Sequence, residues 1–141
     1  MSLTISSALL EGIREQGRVA YPQECCGLLL GRANGSGKSV VDLRGVENSR
    51  EDARDNRYLI SPSDLLEAEK EARKLGLDVI GVYHSHPDHP AHPSEFDREH
   101  AFPWYSYIIV SVAKGEPRDL TSWILREDRS AFDYEDLVIT E

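Results

Sequence analysis

The run Leu77-Asp-Val-Ile-Gly-Val-Tyr83 constrains this chain more than any other segment. A strand with one face in water alternates apolar and polar residues, whereas a continuous apolar run has both faces covered and belongs in the middle of a sheet. Just before it, Ser61-Pro62-Ser63-Asp64 supplies an N-cap, a proline at the first helical position and an acid at the third. The helix it opens is predicted to reach about Leu75 and to stop near Gly76. Ile5, Leu9, Leu10 and Ile13 recur at helical spacing and predict an amphipathic helix over residues 4–16. Cys26–Leu30 and Val40–Leu43 read as two strands joined by a flexible hairpin loop from Gly31 to Gly37. Further strands are expected at Arg57–Ile60, Ser106–Val112, Leu120–Leu125 and Asp133–Ile139. The pattern is α/β: a mixed β-sheet flanked by helices, with 141 residues filling one domain, 1–141.

Sixteen basic residues against 25 acidic ones give a net charge of −9, a field that repels phosphate backbones and argues against a nucleic-acid partner. Cys25 and Cys26 are neighbours, so they build neither a disulfide framework nor a CxxC pair, and reduced thiols in a cytoplasmic protein are expected. The N-terminal residues MSLTISSALLEGIREQ lack the apolar stretch of a signal peptide, and neither terminus carries a lipidation signal. The apolar runs at Cys25–Leu30 and Trp104–Ala113 fall short of the roughly 20 residues a membrane span needs, so no membrane partner is expected.

All five histidines lie between positions 84 and 100, three of them in His84-Ser-His-Pro-Asp-His89 directly after the central strand. The carboxyl end of a central strand is where α/β sheets commonly build sites. Two histidines one residue apart share a face of a strand and can converge on one ion. Zinc takes four ligands, and a catalytic zinc keeps one position for water, so a third protein ligand is required. Asp88, His89, His92, Glu95, Asp97, Glu99 and His100 are all candidates. Asp97 has a structural reading as well, since Ser94-Glu-Phe-Asp97 looks like a helix start in which the acid completes a capping box.

The spacing His84-Ser85-His86, seven residues, Ser94, two residues, Asp97 matches H-[ST]-H-x7-S-x2-D. Upstream, Glu24-Cys-Cys26-Gly27 places a glutamate just before a Cys-Gly-hydrophobic strand. Together these segments resemble the JAMM (MPN-plus) zinc metalloprotease family, over about residues 3–125. The resemblance implies a cytidine-deaminase-like sandwich with one zinc held by His84, His86 and Asp97. It implies Glu24 as general base and Ser94 as a hydrogen-bond donor to the oxyanion. It points to the short bacterial branch, similar to peptidases of ubiquitin-like sulfur-carrier proteins, with amide hydrolysis at the carrier's C-terminal tail as the expected activity. A non-catalytic scaffold of the same fold and a zinc amidase acting on small molecules are the rival expectations.

Other motifs are imitations. His84-Ser-His86-Pro-Asp88-His89 also spells the HxHxDH of metallo-β-lactamases, but no histidine follows His100. An amidohydrolase barrel needs eight βα units, too many for this length. Gly37-Lys38-Ser39 ends like a P-loop, yet Arg32 stands where the first glycine belongs and a β-rich Val40-Val41 follows. Cys26 is expected to be a packing residue, and Trp104, Tyr105 and Tyr107 to fill the flank of the core.

Overall fold

A computed structural model describes residues 2–35, 37–48 and 57–141. The elements in chain order are β1 (Ser2–Ser6), α1 (Ser7–Ala20), β2 (Cys26–Asn34), β3 (Gly37–Val46) and α2 (Pro62–Lys74). They continue with β4 (Asp78–Pro87), α3 (Glu95–His100), β5 (Ser106–Ala113), β6 (Glu116–Leu125) and β7 (Phe132–Thr140). The strands are ordered β1-β3-β2-β4-β5-β6-β7, and parallel pairing of β1 with β7 closes the sheet into a barrel. The expected α/β class with a mixed sheet and flanking helices is present; closure of that sheet was not foreseen. No helix among the described residues is long and apolar enough to cross a membrane.

Strand β4 is central, antiparallel to β2 and parallel to β5. One extra residue in β4 accounts for its continuous apolar run: Leu29 pairs with Gly81 but Leu30 pairs with Val79, which leaves Ile80 in a bulge. Val79 and Val82 pack against Ala68 and Ala72 of α2, while Ile80 and Tyr83 pack with Leu10 and Ile13 of α1. Both faces are therefore covered, and each buried aliphatic side chain contributes about 1.5–3 kcal/mol. Gly81 is required by close approach, since a Cβ there would lie 2.1 Å from the Ser106 carbonyl oxygen. Beyond the bulge the alternation is regular, so His84 and His86 share the face of Val82, and Ser85 shares the α1 face with Tyr83.

Several expectations need correction. Residues 4–6 are strand, not helix: Leu3 and Ile5 alternate as buried positions of β1, and the Ser6 side chain caps a helix that starts at Ser7. Ile5 fits both periods, which is why spacing alone misplaced it. The hairpin loop is shorter than expected, because β2 and β3 remain paired through Arg32↔Ser39 to Asn34↔Gly37. Arg57–Ile60 forms no strand. Helix α2 begins as predicted, with Ser61 accepting from the Asp64 amide and Pro62 opening the helix. Trp104 does not fill the core: it is exposed with φ of 79°, whereas Tyr107 is buried.

Candidate metal centre

Strand β4 runs on through Pro87, so both histidines project from regular strand rather than from a loop. The third donor arrives from α3. Its N-cap Ser94 accepts from the Asp97 amide at 3.0 Å, and the Ser94 amide donates back to Asp97 Oδ2 at 2.9 Å. The capping box and the candidate ligand are thus one arrangement, because the carboxylate oxygen that caps the helix also faces the imidazoles.

His84 Nε2 and His86 Nε2 are 3.2 Å apart, and Asp97 Oδ2 lies 3.4 Å from the first and 3.1 Å from the second. Four donors at 2.0–2.1 Å around a tetrahedral ion sit about 3.3 Å from one another. His86 Nδ1 lies 2.9 Å from the Pro90 carbonyl oxygen, which only accepts, so Nδ1 carries the proton and Nε2 presents a lone pair to the cluster. Asp97 Oδ2 is likewise an acceptor. One proton can bridge at most one pair of the three atoms, whereas a cation satisfies all of them. His84, His86 and Asp97 are nearly excluded from water, and burying convergent acceptors without a positive partner is costly. The donor set fits a divalent ion that prefers nitrogen and oxygen ligands, such as zinc.

Burial pushes the His84 imidazole below its ordinary value; Asp97 pulls it back and His86 adds to the lowering. Burial alone would raise Asp97, but the adjacent His84 and His86 outweigh it and hold the carboxyl well below the usual carboxylate range. Both shifts favour the deprotonated forms that ligate metals.

Glu24 is the long-range element. It lies just before β2, buried at 4% exposure, and a carboxylate oxygen comes within 4.8 Å of the ligand nitrogens of both histidines. The backbone brings it there: Cys26 pairs with His84 across the sheet, the Cys25 amide donates to Ser85 Oγ at 2.8 Å, and the Ser85 amide donates to the Cys25 carbonyl. Glu24, His86 and Ser94 line a cleft of about 470 Å³, with Arg57, His89, His92 and Phe96 also on its wall. All five residues singled out from the sequence are therefore gathered on one side of the barrel.

The remaining candidates lie apart from the donor triad. His89 and His92 form the cleft rim, and His92 packs against Trp123. His100 stacks on Phe96 and its Nδ1 contacts the Phe96 carbonyl. Glu95 pairs with Arg98, and Asp88 is bonded to Tyr21. Cys26 is buried, with its thiol against the Val46 carbonyl and its pKa pushed up to about 12 by burial, as a packing residue requires. Lys38 of the P-loop-like run points inward to the Trp104 carbonyl and Ser106 Oγ, not toward a phosphate cradle. One contact was missed altogether. Tyr58 stacks on the His84 ring at 4.3 Å between centroids, and burial raises its hydroxyl well above the ordinary value. Tyr58 was read only as part of an expected strand at Arg57–Ile60, and nothing local signals a contact with a ring 26 residues away.

A closed mixed sheet thus carries two histidines, an aspartate and a glutamate together at the end of its central strand. The family model described as prokaryotic homologs of the JAB domain matches residues 6–126, and the chain belongs to that family. It is 32% identical over 105 residues to a desampylase of Haloferax volcanii, covering 74% of this chain and 73% of that one. It is 36% identical over 110 residues to a probable TtuB-protein conjugate cleaving protease of Thermus thermophilus, covering 78% and 70%. Among solved structures, a protein from Desulfitobacterium hafniense superposes with a TM-score of 0.86 at 33% identity, covering 99% of this chain and 93% of that one. A JAB1/MPN domain protein from Archaeoglobus fulgidus, at 22% identity and a TM-score of 0.59 over 99% and 98% of the two chains, shares the fold.

Proposed function

We propose that this chain is a zinc-dependent metallopeptidase or isopeptidase that hydrolyses an amide bond at the C-terminal tail of a ubiquitin-like, sulfur-carrier type protein. The observation that carries the proposal is the acceptor triad of His84, His86 and Asp97 with the Glu24 carboxylate beside it. The names of the relatives, a desampylase and a conjugate-cleaving protease, support a protein-conjugate substrate.

In this reading His84, His86 and Asp97 hold one zinc ion. Bound zinc supplies Lewis-acid polarisation of a carbonyl and lowers the pKa of water to about 7. The chain's own groups do the rest. The Pro90 carbonyl and the Ser94 amide orient His86 and Asp97, as outer contacts to ligands generally do. Glu24 accepts a proton at its carboxylate as water adds to the scissile carbonyl. It returns that proton to the leaving nitrogen as the C–N bond breaks. Ser94 Oγ accepts from the Asp97 amide, which leaves its own hydroxyl proton to donate to the oxyanion.

The test is turnover of a carrier–amino-acid or carrier–protein adduct beside simple acyl amides. Adduct cleavage is expected to vanish with chelator and return with zinc. Glu24→Gln should keep the metal and lower kcat by about 10²–10⁴-fold. Metal-loaded protein that leaves adducts intact but cleaves simple amides would replace the substrate assignment; no turnover of either would favour a binding scaffold.

A further inference from the structure

Glu24 is tied down on its C-terminal side by the two hydrogen bonds between Cys25 and Ser85. On its N-terminal side the chain leaves α1 through Tyr21, where the Gln23 amide bonds to the Ala20 carbonyl to form a tight turn. The Tyr21 hydroxyl donates to Asp88 Oδ2 at 2.6 Å across 67 residues of sequence. Asp88 directly follows the histidine strand and is itself held from two further directions. Its amide donates to the Val112 carbonyl at 2.7 Å, and its Oδ1 accepts from the Lys114 amide at 2.7 Å. Its φ of 58° is a left-handed conformation that aspartate tolerates better than most residues. Both carboxylate oxygens are thereby used, one to fix Asp88 on the β5–β6 turn and one to reach Tyr21.

We propose that Asp88 and Tyr21 form a positioning clamp, which with the Cys25–Ser85 bonds holds Glu24 from both sides at a fixed distance from His84 and His86. Every tie comes from β4 or its immediate extension, so the strand that carries the imidazoles also sets the place of the carboxylate. The bond is exposed, and exposed polar contacts contribute little to global stability. Positioning is far more sensitive: a displacement of about 1 Å at a catalytic group can cost up to 100-fold in rate. The clamp therefore acts on the chemical step and not on folding. Neither residue touches the reacting atoms.

This inference rests on the role of Glu24 proposed above, but one arm of its test does not. Tyr21→Phe removes only the hydroxyl, and Asp88→Gly removes the carboxylate while accepting the positive φ. In metal-free protein, amide hydrogen exchange across residues 23–25 is expected to quicken by about tenfold in either variant, with the amides of β4 and the thermal midpoint unchanged. On a cleavable adduct, either variant should lower kcat by about tenfold with KM within about twofold and zinc content intact. The double variant should be no worse than Asp88→Gly alone, because both substitutions remove the same Tyr21–Asp88 bond and only Asp88→Gly also removes the Lys114 contact. Unchanged exchange at residues 23–25, or a double variant worse than Asp88→Gly alone, would overturn the clamp. Faster exchange in protein that cleaves no adduct would keep the clamp and reject the proposed function.

Discussion

Two of the places where the described residues of the barrel bury polar groups differ in the charges they bring together. At the carboxyl end of β4, two imidazole nitrogens and a carboxylate oxygen face each other as convergent acceptors. Elsewhere in the interior, Lys38 is buried with its ammonium donating to the Trp104 carbonyl and to Ser106 Oγ, and stacked over the Trp104 ring at 4.6 Å. Ser122 donates to buried Glu135 Oε1 at 2.8 Å, and the Glu135 charge favours the protonated lysine. That second cluster brings its own cation and its own donors. The first gathers two imidazole nitrogens and a carboxylate oxygen with no lysine or arginine among them. Burial alone marks neither as functional; what separates them is that the second holds a cationic side chain and the first does not.

The largest expected effect of breaking this contrast is at the metal end. Asp97→Ala removes a proposed ligand together with the side-chain half of the α3 capping box, and zinc affinity should fall by more than the roughly 100-fold that losing an outer contact costs. Equilibrium dialysis against zinc measures it, and an unchanged affinity would show the triad is not the site. The converse experiment is Lys38→Met. It strands the Trp104 carbonyl and leaves Glu135 without a compensating charge, so denaturant unfolding should show a loss of about 3 kcal/mol. Zinc content should stay the same, since no donor of the triad is touched.

Acid and alkali should separate the two regions more gently. Protons compete with zinc for the imidazoles, so the affinity measured by dialysis should decline as pH falls from 7 to 5. Burial lowers the Lys38 pKa in the fold, with Glu135 opposing. The folded state then binds fewer protons than the unfolded chain between its lowered pKa and the ordinary lysine value of about 10.4. Lys38 therefore makes stability rise with pH across that window. Stability of metal-free Lys38→Met protein tracked across that window should lose this rise.

Much of this was legible in the sequence, for identifiable reasons. The buried run Leu77–Tyr83 and the Ser61-Pro62 helix start carry strong local signals, and both elements stand where expected. His84, His86, Ser94 and Asp97 lie in one short stretch whose spacing encodes a strand end followed by a capped helix. Glu24 was reachable only through the family motif, because its neighbours in space are 60 residues away in sequence. Closure of the sheet by β1 and β7 was hidden by an Ile5 that fits both a helical and a strand period. Tyr58 over His84, and the tie from Tyr21 to Asp88, were invisible because such contacts depend on tertiary packing that no local pattern reports.

The most direct measurement is the position of a heavy scatterer in crystals grown with zinc, read from anomalous diffraction at the zinc edge. One strong peak about 2.0–2.2 Å from His84 Nε2, His86 Nε2 and Asp97 Oδ2, with the Glu24 carboxylate facing it, is the predicted result. A peak held instead by the rim histidines His89 and His92, or no peak at the triad in zinc-saturated crystals, would contradict it.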